Sequence, residues 1–142
     1  MGRLHEIRVK SDRFISQIDL NIEEAIQSNE ATLVKMNISQ MLNHTDSEGN
    51  PLIHKKTGSP LLSPAYAKIK NKSRPNLKDT GEFQKNMFLL VNNNKWFIDS
   101  EDPKAGFLVG NYGKIFGIED KQEAKRTNLK SFAALYKKEV LR

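Results

Sequence analysis

The stretch SRPNLKDTGEFQKNMFLLVNNNKWFIDS, residues 73–100, decides the fold. Asn92-Asn93-Asn94 is a tight-turn signal, because asparagine tolerates positive φ at little cost. Lys95-Trp96-Phe97-Ile98 follows as a returning strand, so the turn predicts a β-hairpin. The strand before the turn is ambiguous at its start. Phe83, Met87 and Leu90 fit one face of a helix, while Phe83, Met87, Leu89 and Val91 fit one face of a strand almost as well. A turn of helix over 80–86, passing into a strand over 87–92, reconciles the two patterns. Asp79 and Glu82 have the spacing of a capping box, an acceptor at the N-cap with an acid three residues on. Asp79, Thr80, Gly81 and Phe83 are therefore read as a structural turn.

Working outward toward the N-terminus, Ser63-Pro64 opens a short helix, AYAKIKNK, with Ser63 as N-cap and Pro64 at the first helical position. Residues 44–62 read as an extended loop. Ser47-Glu48-Gly49-Asn50-Pro51 and Thr57-Gly58-Ser59-Pro60 are both turn chemistry. A loop this long in a small domain is usually functional, or ordered only on binding. Before it, Ile15, Ile18, Ile22, Ala25, Ile26, Leu33, Met36 and Met41 recur at spacings of three and four, which predicts one long helix over 14–42. Core packing accounts for that stripe, and a subunit contact is the alternative. Residues 1–13 read as an N-terminal arm.

Toward the C-terminus, Ser100-Glu101-Asp102-Pro103 caps a short helix that ends at Gly110 or Gly113. Lys114–Ile118 is a short apolar run, read as an edge strand. Asp120 and Glu123 form a further capping box for a last helix over 121–141 that buries Ala124, Leu129, Phe132, Leu135, Tyr136 and Val140. The expected fold is one α+β domain over 1–142: a long N-terminal helix and a C-terminal helix packed on a small antiparallel sheet with a central hairpin and a long basic loop.

The chain has 142 residues, 37% hydrophobic and 28% charged, and no cysteine. That removes disulfides, thiol catalysis and cysteine-ligated zinc. The opening MGRLHEIRVK lacks an apolar core, which predicts no secretory signal, and no stretch is apolar for long enough to suggest a bilayer span. The net charge of +6 is unevenly placed. Residues 1–50 carry −3 and residues 51–79 carry +6, from seven bases against one acid; residues 80–120 carry −2 and residues 121–142 carry +5. A basic block of this kind either faces nucleic acid or an acidic partner, or simply solvates the surface. Its members are Lys55, Lys56, Lys68, Lys70, Lys72, Arg74 and Lys78.

Catalytic patterns are missing. His5, His44 and His54 have no acid or second histidine at metal-ligand spacing. Asp99, Glu101 and Asp102 are clustered, but helix capping explains them. No Gly-x-Ser-x-Gly elbow or phosphate-cradling glycine loop is present. The chain is therefore expected not to be an enzyme, and to need no cofactor or metal.

The order of motifs resembles the central signature of tailed-bacteriophage virion-morphogenesis proteins, the tail-completion, neck and minor tail groups. Leu62-Ser63-Pro64, Tyr66 and Lys68 or Lys70 match the first element of that signature. Pro75, Leu77, Thr80, Gly81 and Phe83 match the second, and Tyr112-Gly113-Lys114-Ile115-Phe116-Gly117-Ile118 is a variant of a later one. Asn86 stands where the family has a small or hydroxyl residue. The resemblance implies a structural subunit of the virion, assembled in the host cytoplasm, that forms homo-oligomeric rings at the head–tail junction or tail terminus. It implies contacts with other connector or tail proteins, with no membrane partner. The basic residues would touch packaged DNA without reading its sequence, or an acidic neighbour. Leu61, Leu62 and Tyr66 would make subunit contacts. The rival readings are a sequence-independent nucleic-acid-binding domain and a small adaptor protein.

Overall fold

The computed structural model describes residues 2–141. Among them are seven α-helices, one two-stranded antiparallel sheet and a terminal π-helical turn, an α+β fold with helices at both ends. In chain order these are α1 (Arg3–Ser16), α2 (Ile18–Gln27), α3 (Glu30–Leu42), α4 (Pro64–Lys70), α5 (Glu82–Lys85), β1 (Met87–Asn92), β2 (Lys95–Ser100), α6 (Ala105–Tyr112), α7 (Lys121–Tyr136) and the π-helix Lys137–Leu141. The residues gather into two compact units. One holds the described residues up to Ala31, with Leu90–Trp96 and those from Asp120 on; the other holds Thr32–Leu89 and Phe97–Glu119.

In the first unit, α2 packs on α7, and the π-helix packs on α1. Phe14 is the buried anchor of α1, its ring 5.4 Å from Phe132 and 5.2 Å from Tyr136. Burying a phenyl ring in this way contributes ~2 kcal/mol. The expected helix over 14–42 is in fact three helices, although no glycine or proline interrupts it. Polar side chains make the breaks by bonding to carbonyls that a continuous helix would use. Asn21 Nδ2 donates to the Phe14 carbonyl at 2.9 Å, and Ser28 Oγ donates to Ala25 O at 2.6 Å. Asn29 also donates to Asn128 Oδ1 at 3.0 Å and accepts from Ser131 Oγ at 3.0 Å. The expected arm over 1–13 is helical from Arg3. Its inward row is Ile7, Lys10, Ser11 and Phe14, a helical spacing hidden by two polar members. In α7 the Asp120 cap forms, with Oδ1 accepting from Glu123 N at 2.9 Å. Ala124 and Val140 are buried as expected, whereas Leu129 is exposed.

In the second unit, Leu33, Val34, Asn37 and Met41 form the inward face of α3. Leu52, Leu77, Phe83, Met87, Leu89, Ile98, Ile115 and Ile118 are also buried there. The hairpin turn, Asn93 and Asn94, belongs to the first unit; both residues are at positive φ (52° and 61°), the combination that matches the right-handed twist of the paired strands. Ser100 Oγ donates to the Phe83 carbonyl at 2.8 Å and so ties the end of β2 to α5.

Lys114–Ile118 is not an edge strand. Gly117 sits at φ 128°, which bends the chain away from an extended path. Its backbone bonds go instead to amide side chains of α3. Asn37 donates to Ile115 O and accepts from Gly117 N, both at 2.9 Å. Gln40 donates to Gly117 O at 2.8 Å and accepts from Glu119 N at 2.6 Å.

Candidate assembly surface

The basic stretch of the second unit begins in the loop after α3. This loop has no helix or strand, yet it is pinned rather than loose. Asp46 Oδ1 accepts from the Glu48 and Asn50 amides, each at 2.9 Å. Ser47 N donates to Lys114 O, Lys55 N donates to Asn111 O, and Leu52 is buried. His44 and His54 are placed by structure, not by a ligand set: His44 Nδ1 lies 3.1 Å from Pro75 O, and the His54 ring meets Tyr112 edge-on.

α4 then stands out from this base. Ser63 Oγ accepts from Tyr66 N at 3.4 Å, with Pro64 inside the first turn, as its sequence predicts. No residue of α4 is buried. The helix ends at Asn71 in the left-handed region, and Leu62 N donates to Ser73 O at 2.9 Å, so both ends of the excursion are clasped. The clasp leaves Ile69 79% exposed, with Leu61 and Tyr66 also turned to solvent.

The return segment, 72–79, is held by side chains. Leu77 takes φ 61° although it is a buried leucine, a conformation that costs about 1 kcal/mol for a side chain with a Cβ. Its carbonyl accepts from Gln84 Nε2 at 3.0 Å, and Asn76 Oδ1 accepts from Lys78 N at 3.0 Å. Lys72 Nζ donates to that same Asn76 oxygen and, at 3.0 Å, to Lys78 O. Burial, and then the nearby Lys70 charge, hold the Lys72 ammonium below the ordinary lysine pKa.

Asp79 does not cap α5. The N-cap is Gly81 at φ 91°, and the Thr80 hydroxyl accepts from Glu82 N at 3.4 Å. The Asp79 carboxylate is drawn instead to Lys70, with Lys104 Nζ 3.7 Å from its second oxygen. The hydrogen bond from Lys70 lowers the Asp79 pKa and raises that of Lys70. Phe83 is buried as the expected anchor, against Phe116.

A groove with a cavity of about 300 Å³ lies among α4, the 72–79 segment and α6. Its apolar lining includes Leu62, Tyr66, Leu77, Phe107 and Tyr112; its charged lining is Lys72, Lys78, Asp79 and Lys104. Burial raises the Tyr112 hydroxyl above the usual tyrosine pKa. Of the residues singled out by sequence, the groove gathers Leu62, Tyr66, Lys72, Lys78 and Asp79. Leu61, Lys55, Lys56, Lys68, Lys70 and Arg74 do not line it, and Thr80 and Gly81 line a neighbouring concavity with Ile38 and Gln84. Phe107, 70% exposed, and Lys104 were missed by sequence reasoning. The signal was Phe107-Leu108-Val109: three consecutive large apolar residues cover most of a helix's circumference, so one of them must face outward.

Among the described residues no cluster of three or more histidine and acidic side chains is placed to hold a metal ion, and no helix is long and apolar enough to cross a membrane. Comparison of the chain with protein-family models, curated proteins and solved structures gave no match.

Proposed function

We propose that this chain is a non-enzymatic structural subunit of a tailed-phage particle, which oligomerises at the head–tail junction or the tail terminus. The observation that carries the reading is how the residues of the resemblance divide. Pro75, Leu77 and Phe83 are buried and fix the backbone, while Tyr66 is exposed, one helical turn from exposed Ile69 and lining the same groove as Phe107. Exposed large apolar and aromatic side chains close together mark a protein contact rather than a solvated face. The pinned loop of 44–62 argues for a preformed contact surface rather than an arm that orders on assembly. Exposed Lys55, Lys56, Lys68, Arg74 and Lys78 remain the residues to meet DNA or an acidic neighbour.

The test is solution mass by light scattering across protein and salt concentration, with electron microscopy of any large species. A discrete ring-sized species, or assembly driven by concentration, is expected. A strict monomer that binds DNA with steep salt dependence would favour the nucleic-acid reading instead. A monomer that binds neither DNA nor itself would favour the adaptor reading.

A further inference from the structure

We infer that the groove of the second unit receives helix α2 of a neighbouring copy, in a head-to-tail contact that repeats from subunit to subunit. The inference rests on the assembly reading above and names its contact. Two surfaces of the same chain are complementary in charge and in apolar character. α2 contains three acids, Asp19, Glu23 and Glu24, and no base. Its inward side is given by Asn21, Ala25 and Ile26, which are buried. Its outward side is centred on Leu20, which is 66% exposed despite being a leucine. At helical spacing Glu23 and Glu24 lie one turn from Leu20, on the same face, with Asp19 adjacent. This is an apolar knob flanked by carboxylates, of which Asp19 already accepts from Asn94 Nδ2 at 2.9 Å.

The groove is the inverse. Its apolar lining holds the exposed Tyr66 and Phe107 rings, and three of its four charged lining residues are lysines: Lys72, Lys78 and Lys104. The one acid, Asp79, is held chiefly by Lys70, with Lys104 Nζ 3.7 Å from its second oxygen, so the lysines outnumber it. Leucine between two aromatic rings removes apolar surface from water, while the acids meet ammonium groups around it. The two surfaces differ, so the contact is heterologous. Repetition of such a contact closes a ring or extends a filament, and does not stop at a symmetric dimer.

The experiment uses two full-length variants, Leu20→Lys, which breaks the helix surface, and Phe107→Lys, which breaks the groove. Both positions are solvent-facing, and circular dichroism with thermal melting would check that each variant folds. Sedimentation velocity should show each variant alone as a monomer under conditions where the wild-type chain assembles. Mixing them leaves one intact surface on each variant, so a 1:1 dimer that grows no further is expected. Charge reversal gives a second measure: Glu24→Lys should weaken assembly at least tenfold, and Lys104→Glu in the same chain should recover most of it. If the wild-type chain assembles and both variants still assemble, the contact is wrong and the assembly reading stands. If the wild-type chain stays monomeric at every concentration, both are overturned.

Discussion

Two irregular segments of the second unit, 114–119 and 72–79, solve the same problem in opposite ways. Each runs without helix or strand, and each must satisfy its backbone polar groups. In 114–119 the partners are Asn37 and Gln40, amide side chains projecting from α3, and Ile115 and Ile118 are buried beside them. In 72–79 the partners are side chains from within and around the segment, with Lys72 on the Lys78 carbonyl, Asn76 on the Lys78 amide and Gln84 on the Leu77 carbonyl. The first arrangement is internal and fills the core. The second is anchored by one buried bond, from Gln84 to Leu77, but otherwise props the surface through Lys72 near solvent, and leaves apolar side chains of α4 and α6 uncovered. Core-type bonding fixes the fold; prop-type bonding shapes a surface that is free to meet a partner.

The largest effect should therefore come from Asn37→Ala. Asn37 has no exposed surface, and truncation leaves the buried Ile115 carbonyl and the half-buried Gly117 amide without their partner. The expected loss is about 3 kcal/mol of unfolding free energy, read from urea denaturation. A loss well under 1 kcal/mol would mean that 114–119 has another way to satisfy its backbone, and the contrast with 72–79 would fall.

Gly117→Ala should cost about 2 kcal/mol, because an L residue is strained at φ 128° and the new methyl would lie 3.1 Å from Ser47 Cβ. Adding Ser47→Gly removes the steric part but not the backbone part, so it should restore only a fraction of the loss. Full restoration would show that crowding, and not φ, dictates this glycine.

Lys72→Met keeps the aliphatic stem and removes the prop. Asn76 Oδ1 and the Lys78 carbonyl lie near the surface, where water takes over part of the bonding, so a loss of ~1 kcal/mol is expected. A larger loss would place 72–79 with the core-type segment.

The same contrast explains what the sequence made legible. The hairpin was readable because Asn-rich turn chemistry and alternating burial at Met87 and Leu89 are local signals. The start of α4 was readable because Ser63-Pro64 acts on its own first turn. The breaks in the 14–42 helix were not foreseen, because they depend on where Asn21 and Asn29 find carbonyls and partners, and Asn29 finds Asn128 far along the chain. Lys114–Ile118 resembled a strand because a short apolar run reports burial, while its backbone bonds go to α3 amides in place of a ladder. Asp79 has the right spacing for a cap, but a lysine nine residues away took its carboxylate. In the groove, Tyr66 and Leu62 were legible from their own motif. Phe107 and Lys104 joined them only through tertiary packing.

The smallest effect on stability, and the most informative on function, belongs to Asp79→Asn. The Lys70 hydrogen bond lowers the carboxyl below its ordinary value of 3.8, so folding favours the ionised form. Between the folded and unfolded pKa the unfolded chain binds more protons, and stability rises with pH there. The stabilisation should thus be present in full above 3.8 and disappear as pH falls through the lowered value. The pair is exposed, so the difference between wild type and Asp79→Asn in urea midpoint should be small at neutral pH, smaller in high salt, and absent in strong acid. Self-association should move the other way. Asp79 is the one acid in the groove, and losing it leaves Lys70 unneutralised beside the surface proposed to meet carboxylates. The variant should therefore assemble at lower protein concentration than wild type while being slightly easier to unfold. Weaker assembly in Asp79→Asn would mean that the Lys70 bond organises the groove more than its charge opposes the acidic helix.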